Sequence, residues 1–479
     1  MGYRILAVIG LVLLIGSIIG QQASRPPVLA GSAGPAGPTP SQPPERTGLA
    51  QESVRLFLPL VNRRARAVVP TPYGVTMYGN VDEAAGLGRM QDAGASWVVT
   101  LLDWSRIEPV KGHFNWAEFD TKVRNAQTAG FEVFVLLVNN PAWASSNPNG
   151  PVNNVQDLAD FVTAAAQRYN CEVPGNPCIR YWSFYPEPDH QNRFGNNPQA
   201  MADIMGAVGP AIRGVMPSAK VLIGGLAYDW FTTDCDSATG RCGPFVRSFL
   251  TQTLSLLNAK PGGARTYVDA VAFHYYPIAE FRWPTIREKA QEIRQIMAGA
   301  GIADLPIYVP EMGFWSSNKQ ATKNTCYSSE DYQARRLVEM FVLGQAAGVR
   351  KLAWFDVFDA VSLVNDYCTE EHGLFWGTDL SRPKKAYWAY KTLTAELTGY
   401  AYARPLSTGA VEAHVFRAAD GREKIVVWSQ PKDQPGTFTV EWGCVQGVNI
   451  TGQPFEYAGP GRVTLSLPKN DVLLVRNCP

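Results

Sequence analysis

The chain has 479 residues, enough for two or three domains of about 150 residues each or for one large barrel with an appendage. Its 43 lysines and arginines nearly balance its 42 aspartates and glutamates, which argues against a protein that binds nucleic acid or an acidic lipid surface through overall charge. Charged residues make up 18% and aromatic residues 11%, a composition that suits an uncharged ligand stacking on rings, such as a sugar, and equally a large core.

The N-terminus predicts export. An apolar run over residues 5–19 follows Arg4 and has the length of a signal-peptide core, which is short for a membrane span of about 20 residues. Residues 1–30 are therefore expected to be either a cleaved signal peptide or an N-terminal anchor that tethers the protein to the membrane. Residues 31–70 start as a stretch of Gly, Pro, Ala, Ser and Thr, and we expect a disordered linker there.

Eight cysteines agree with export, because disulfides persist in an oxidising compartment. Two expected pairs close short loops that contain glycine, and the other two follow only by elimination. The pairs are, in that order, Cys171 with Cys178, Cys235 with Cys242, Cys326 with Cys368, and Cys444 with Cys478. The gaps between these cysteines are too wide for the ligand spacing of a zinc site, so we expect no metal.

From residue 73 onward, short β-rich apolar runs alternate with helical stretches, the pattern of βαβ units around a parallel sheet. The eight predicted strands cover residues 73–78, 97–102, 132–138, 180–185, 221–225, 270–274, 307–310 and 351–355. Eight such units predict a (β/α)8 TIM barrel over residues 71–398. An open doubly wound sheet is the alternative, but no G-x-G-x-x-G motif follows the first strand.

After residue 399 the pattern changes to strands and turns without helices. The predicted strands cover residues 411–416, 424–429, 437–442, 463–467 and 472–476. They predict a small β-sandwich over residues 399–479. This domain is expected either to bind carbohydrate itself or only to pack against the barrel.

Two glutamates stand out because active sites of such barrels lie at the carboxyl ends of the strands. Glu187 follows the fourth predicted strand and Glu311 follows the seventh. One such residue alone is equally well explained by a helix cap or a salt bridge. Two on the same face suit glycoside hydrolysis, which needs a proton donor for the leaving oxygen and an anion for the developing oxocarbenium ion.

Here the chain resembles the clan A glycoside hydrolases, and families 39 and 5 most closely. In that clan the acid/base follows strand four in an Asn-Glu-Pro motif, which Glu187 and Pro188 match, and the nucleophile follows strand seven, which Glu311 matches. The stretches 107–109, 114–116 and 141–143 are similar to loops after strands two and three. The resemblance implies that Glu187 is the acid/base, that Glu311 is the nucleophile and that anomeric configuration is retained.

The resemblance also implies substrate-binding residues. His274 and Tyr276 match the end of strand six, where the family's His and Tyr approach the nucleophile, and Trp354 matches the ring under the sugar. Trp143 is a further candidate sugar platform. His274 could equally be a satisfied core histidine, and each Trp could equally be a core residue.

One position departs from the family: Pro186 stands where the family has the asparagine that contacts the sugar 2-hydroxyl. We expect Asn139, Asn140 or Asn192 to supply that donor instead. Asp189 is the alternative acid if Glu187 is buried and paired.

The sequence thus predicts an exported, secreted or cell-surface retaining β-glycosidase that acts on oligo- or polysaccharides without a cofactor. Two alternatives use the same barrel: a catalytically weak protein that binds polysaccharide, and a transglycosylase. The motifs fix neither the sugar, nor exo or endo action, nor the oligomeric state.

Overall fold

The computed structural model describes most of the chain after residue 70. The described residues are 71–228, 232–233, 242–277, 285–316, 328–359, 371–430 and 434–478. The predicted leader, the predicted linker, Cys235, Cys326 and Cys368 lie outside them. Within these ranges, no helix combines the length and the apolar character that crossing a membrane requires.

Eight parallel strands form a closed barrel in the order β1 to β8. The barrel closes between its first and last strands, where Gly74 pairs with Ala353. The strands are β1 Tyr73–Thr76, β2 Trp97–Asp103, β3 Glu132–Val138, β4 Tyr181–Phe184, β5 Lys220–Leu226, β6 Ala270–Tyr275, β7 Ile307–Met312 and β8 Val349–Trp354. The predicted TIM barrel and its eight strands are confirmed, with small shifts at the strand ends.

Helices pack around the outside of the barrel. In α4, Leu158, Phe161 and Val162 are buried at the three- and four-residue spacing of an amphipathic helix. The described helices are α1 Leu87–Asp92, α2 Trp104–Ile107, α3 Ala117–Thr128, α4 Val155–Arg168, α5 Pro198–Val215, α6 Phe249–Asn258, α7 Ile286–Gly299, α8 Glu330–Ala346 and α9 Lys385–Leu397, with a π-helix at Gln191–Gly195 and a 3-10 turn at Ala264–Thr266.

Alternate strand residues fill the barrel interior, because successive side chains of a strand point to opposite faces. Trp97 and Val99 belong to the inner cluster, whereas Val98 packs in the larger core shared with the helices. Gly74 makes room for the indole: a Cβ there would lie 2.2 Å from the Trp97 ring. The interior is a packed core, which leaves the carboxyl ends of the strands for chemistry.

Two antiparallel sheets follow α9, one of six strands in the order β14-β13-β16-β11-β10-β9 and one that pairs β12 with β15. Their strands are β9 Tyr400–Pro405, β10 Val411–Ala418, β11 Glu423–Ser429, β12 Gly436–Val440, β13 Cys444–Asn449, β14 Pro454–Ala458, β15 Val463–Leu467 and β16 Leu473–Asn477. Val415 and Val427 of the larger sheet share a core with Leu465 of the smaller one. The predicted C-terminal β-sandwich is confirmed, although the sequence analysis missed β9, β13 and β14.

Two of the predicted disulfides lie within the described residues. Cys171 is bonded to Cys178, and Cys444 is bonded to Cys478. The second bond joins the start of β13 to the residue that follows β16, so it closes the chain end onto the six-stranded sheet. Cys242 is also disulfide-bonded.

The six-stranded C-terminal sheet packs directly against the helices of the barrel. Phe416, Val426 and Trp428 belong to the main core and not to the core between the two sheets. The fully buried Arg335 of α8 donates from Nη2 to the carbonyl of Ser429 at 2.6 Å. Barrel and sheets are therefore joined by both apolar packing and a buried hydrogen bond.

Glu339→Gln is expected to lower the free energy of unfolding by about 3 kcal/mol, because it leaves two buried guanidinium groups facing a neutral amide. Glu339 accepts from Arg335 Nε at 2.6 Å and from Arg336 Nη1 at 2.9 Å. Urea unfolding measures the change. The control is Glu118→Gln, which removes a half-exposed pair with Arg106 and is expected to cost less than about 1 kcal/mol. Equal losses in the two variants would contradict the expectation.

Candidate active site

Glu187 and Glu311 lie side by side at the carboxyl-end face of the barrel. Both are nearly buried, at 6% and 2% exposed. One carboxylate oxygen of each and one ring nitrogen of His274 all lie within 4.8 Å of one another. The closed barrel brings the two acids together because all eight parallel strands end at the same face. Glu311 lies within β7 and pairs in register with His274 of β6.

A tight turn after β4 carries Glu187. Tyr185 and Glu187 both adopt left-handed backbone conformations, with φ of 59° and 46°. The Glu187 amide donates to the carbonyl of Gly225 at 3.0 Å, which ties the turn to β5. Gly224 permits this approach, since a Cβ there would lie 2.3 Å from the carbonyl oxygens of Phe184 and Tyr185. The glycine pair of β5 therefore sets the position of the first carboxylate.

His274 lies between the two carboxylates. Its Nδ1 is 3.5 Å from Glu187 Oε1 and 3.7 Å from Glu311 Oε1. Gly225 faces the other side of the ring, where a Cβ would lie 2.0 Å from Nε2. This packing leaves no space for the imidazole to move away from the acids.

Each charged group of this cluster shifts the pKa of its neighbours. Burial lowers the pKa of His274, but the Glu311 and Glu187 carboxylates outweigh burial and hold that pKa above its ordinary value. Burial raises the pKa of Glu187, but His274 and Arg193 outweigh it and hold that pKa below its ordinary value. These opposite shifts favour a charged Glu187 beside a protonated His274.

Two phenol hydroxyls donate to the Glu311 carboxylate. Tyr276 donates to Oε1 at 2.6 Å, and Tyr78 donates to Oε2 at 2.5 Å. Burial, followed by the Glu311 charge, raises the pKa of each tyrosine well above its ordinary value, so both stay protonated donors. Tyr276 was predicted, whereas Tyr78 was missed. The available signal for Tyr78 was its place at the end of the first predicted strand.

The ring beside the carboxylate pair belongs to Phe355 and not to Trp354. Trp354 is fully buried, and its Nε1 donates to the carbonyl of His372 at 3.0 Å. The half-buried Phe355 ring has its centroid 5.7 Å from that of Tyr78 and 6.1 Å from that of Tyr276. Neighbouring strand residues point to opposite faces, so Phe355 and not the predicted Trp354 lies beside Tyr78 and Tyr276.

The side chains of the predicted Asn139 and Asn140 form hydrogen bonds with other residues of the protein. Asn140 is buried; its Nδ2 donates to the carbonyls of Asn147 and Gly150, and its Oδ1 accepts from Tyr185 at 2.6 Å. Asn139 donates to Asp103 Oδ2 at 2.8 Å. These contacts hold the loop after β3, and they occupy both the Nδ2 and the Oδ1 of Asn140.

Trp143 and Asn192 lie in the surrounding loops. Trp143 is half-buried; its Nε1 donates to the carbonyl of Glu108 at 3.0 Å, and its ring meets Trp104 edge to face. Asn192 is exposed on the π-helix. The contacts of Trp143 join it to the loop after β2.

Asp189, the alternative acid, binds backbone amides. Its carboxylate oxygens accept from the amides of Ala227 and Tyr228, at distances down to 2.6 Å, and the residue is fully buried. Burial raises the pKa of Asp189 to about 6. This carboxylate fastens the loop after β4 to the end of β5, which makes it a poor proton donor for a substrate.

A pocket opens beside Tyr78. It lies at the ends of β1 and β2 and is lined by both polar and apolar side chains. The lining residues are Tyr78, Leu101, Asp103, Arg106, Ile107, Asn115, Glu118, Phe119 and Lys122.

Glu187, His274 and Glu311 are also a donor set that could hold a metal ion. A cation there would have to share Glu311 with two phenol hydroxyls, and Arg193 Nη1 lies only 3.5 Å from Glu187 Oε2. A fixed guanidinium next to one ligand repels a second cation. The arrangement suits proton transfer and nucleophilic attack better than metal binding.

No protein-family model matches the chain. No curated protein matches it either. Solved structures do match. A family 39 glycoside hydrolase from Bacteroides cellulosilyticus WH2 is 18% identical, with 86% of this chain and 81% of that chain covered and a TM-score of 0.63.

Two further solved structures match at similar levels. A family 39 β-xylosidase from Caulobacter crescentus is 16% identical, with 87% of this chain and 98% of that chain covered and a TM-score of 0.56. A family 30 endoxylanase from Clostridium papyrosolvens C71 is 13% identical, with coverage of 86% and 98% and a TM-score of 0.57. The expected resemblance to family 39 is thus confirmed at the level of the fold. This chain has the barrel architecture that these glycoside hydrolases share.

Proposed function

We propose that the protein is a retaining β-glycosidase that hydrolyses O-glycosidic bonds of oligo- or polysaccharides. The observation that carries this proposal is the buried pair of Glu187 and Glu311, whose nearest oxygens lie within 4.8 Å at the carboxyl-end face of the barrel. Carboxyl groups of retaining enzymes lie about 5 Å apart, whereas inverting enzymes need about 6.5–9.5 Å to admit a water molecule. The short separation therefore favours direct attack by one carboxylate.

The reaction proceeds by two displacements. In the first, a Glu311 oxygen bonds to the anomeric carbon, the glycosidic C–O bond breaks, and Glu187 passes a proton to the leaving oxygen. In the second, Glu187 takes a proton from water, the water oxygen bonds to the anomeric carbon, and the ester to Glu311 breaks. Two inversions at one carbon give net retention.

The neighbours of Glu311 fit the role of nucleophile. The hydroxyls of Tyr78 and Tyr276 hold both carboxylate oxygens, so the carboxylate cannot rotate freely. They also stabilise the negative charge that returns to Glu311 when the ester breaks. Phe355 offers an apolar ring beside them, on which a sugar face can pack.

We expect kcat/KM to stay high as the pH rises, up to the pKa of His274, which lies above its ordinary value of 6.5. Below that pKa, Glu187 and His274 together hold the proton that the leaving oxygen needs; above it both have lost the proton, and activity falls. In His274→Gln the carboxyl of Glu187 is the remaining donor, so the alkaline limb is expected to move to lower pH.

The pH dependence of kcat/KM for an aryl glycoside with a poor leaving group measures this shift. The matched control is His414→Gln in the C-terminal sheet, which is expected to leave the limb in place. An alkaline limb that coincides in wild type and His274→Gln would contradict the assignment of the proton to His274.

Export is also part of the proposal. The disulfides Cys171–Cys178 and Cys444–Cys478 support it, because such bonds persist in secreted or cell-surface proteins. An extracellular location suits an enzyme whose substrates are oligo- or polysaccharides.

The test is sugar release by the purified protein from a panel of aryl β-glycosides and plant or bacterial glycans. Release of a defined sugar, with the β-anomer as the first product, is the expected result. Glycan binding in a pull-down without any release would overturn the proposal in favour of a polysaccharide-binding barrel. Transfer to an added acceptor sugar in place of hydrolysis would identify a transglycosylase.

A further inference from the structure

The turn that carries Glu187 is strained. Tyr185 and Glu187 lie in the left-handed region on either side of Pro186. Such conformations are unfavourable for non-glycine residues and persist only where surrounding contacts hold them. Pro186 contributes neither a backbone N–H nor a side-chain amide to the turn. Other groups must therefore hold the carboxylate in place.

Arg193 makes the contacts that the turn needs. Its Nη1 donates to the carbonyl of Pro186 and lies 3.5 Å from Glu187 Oε2. One guanidinium thus bridges the main chain of the turn and the carboxylate that the turn presents. The side chain is only 12% exposed, so solvent screens this charge weakly.

The π-helix places Arg193 firmly. The Phe194 amide donates to the carbonyl of Pro188, and the Gly195 amide donates to the carbonyl of His190. A Cβ at Gly195 would lie 2.4 Å from the carbonyl oxygen of Asp189, so the helix packs directly on the loop after β4. The guanidinium and Glu187 therefore belong to one rigid unit.

We propose that Arg193 is the positioning residue of the acid/base, holding the Pro186–Glu187 turn so that the carboxyl of Glu187 points at the leaving oxygen. This inference rests on the proposed function of Glu187. A planar guanidinium suits the task because it can contact a carbonyl and a carboxylate at once.

The charge of Arg193 acts together with its contacts. Other titratable groups lie near Glu187 in the loop after β4, in β6 and β7, and in the residues flanking β1 and β6. They are His190, Asp189, His274, Glu311, Tyr78 and Tyr276. Among the groups that lower the pKa of Glu187, His274 ranks first and Arg193 next. Loss of Arg193 should therefore change both the orientation of the Glu187 carboxyl and its affinity for a proton.

The test compares Arg193→Met with wild type on two aryl glycosides that differ in leaving group. A dinitrophenol leaves without protonation, whereas a methoxyphenol needs the proton of Glu187. We expect kcat/KM to fall about tenfold or more for the methoxyphenyl substrate and little for the dinitrophenyl substrate, because misplacement of the acid affects only the step that uses it. The alkaline limb should move to higher pH, because removing a cation beside Glu187 makes it harder for the pair of Glu187 and His274 to lose its proton.

Arg193→Lys separates charge from geometry. It keeps the positive charge, so the alkaline limb is expected to stay near its wild-type position, while the loss on the methoxyphenyl substrate remains. It also carries the test if Arg193→Met does not fold. Arg168→Met, which removes an arginine paired with Asp120 on the outside of the barrel, is the matched control and should change neither readout.

Equal losses on both substrates with an unchanged alkaline limb would overturn the inference, since a merely structural arginine would act in that way. Wild-type rates in Arg193→Met would overturn it as well. Both results leave the proposed function standing. Failure of the wild-type protein to hydrolyse any glycoside would instead overturn the proposed function, and this inference with it.

Discussion

Glu311→Gln is expected to lower kcat/KM by about 10⁴-fold or more for every glycoside that the wild-type protein hydrolyses. Glutamine keeps the size of the side chain and can still form hydrogen bonds with the hydroxyls of Tyr78 and Tyr276. It cannot form the glycosyl ester, and its neutral amide does not stabilise an oxocarbenium ion. Initial rates for an aryl glycoside, measured beside thermal unfolding, give the result.

A covalent trap checks the same residue in the wild-type protein. An activated 2-fluoro glycoside is expected to release one equivalent of its leaving group in a burst and to leave the sugar on the peptide that contains Glu311, as mass spectrometry would show. Glu423→Gln, in the C-terminal sheet, is the matched control and should be trapped normally. A burst without sugar on Glu311, or normal activity in Glu311→Gln, would contradict the assignment of Glu311 as the nucleophile.

Glu187→Ala is expected to show a loss that depends on the leaving group. For substrates that need protonation, kcat/KM should fall about 10²–10⁴-fold, the usual contribution of a general acid. For a dinitrophenyl glycoside the first step should stay fast and the second step should become slow, because no base remains to activate water. Added azide should then restore turnover, because it attacks the glycosyl ester without a base.

The product of azide rescue gives the stereochemistry. A β-glycosyl azide is expected, since attack on the Glu311 ester inverts the carbon a second time. Asp189→Asn is the matched control for the neighbouring acid; it should lower stability through lost contacts with the Ala227 and Tyr228 amides, without dependence on the leaving group. If Asp189→Asn and not Glu187→Ala showed a loss that depends on the leaving group, Asp189 would be the acid.

The fold was predictable because its signals are local. Short runs rich in β-branched and apolar residues, such as those that form β2 and β3, recur eight times with amphipathic helices between them, and only a closed barrel or an open doubly wound sheet fits that alternation. The missed strands β9, β13 and β14 have the opposite character. Their residues are largely half-buried or exposed, so the alternation that marks a strand is weak in them.

Candidate site residues were predictable only at or just after the end of a strand. Glu187 and His274 lie at strand ends, and the structure brings them together. Arg193 lies on a π-helix after a strained turn, and loop conformation of this kind leaves no periodic trace in sequence. The sequence pointed to the ring of Trp354 and not to that of Phe355 for another reason. A shift of one residue at a strand end decides on which face of the sheet a ring lies.

The contact between the barrel and the C-terminal sheets limits how the protein can be shortened. Since Phe416, Val426 and Trp428 complete the apolar surface around the helices, a fragment ending after α9 would present that surface to water and lose the acceptor of Arg335. A shortened form of the protein must therefore keep the six-stranded sheet, and libraries built by module exchange should cross over before β1 and not between α9 and β9.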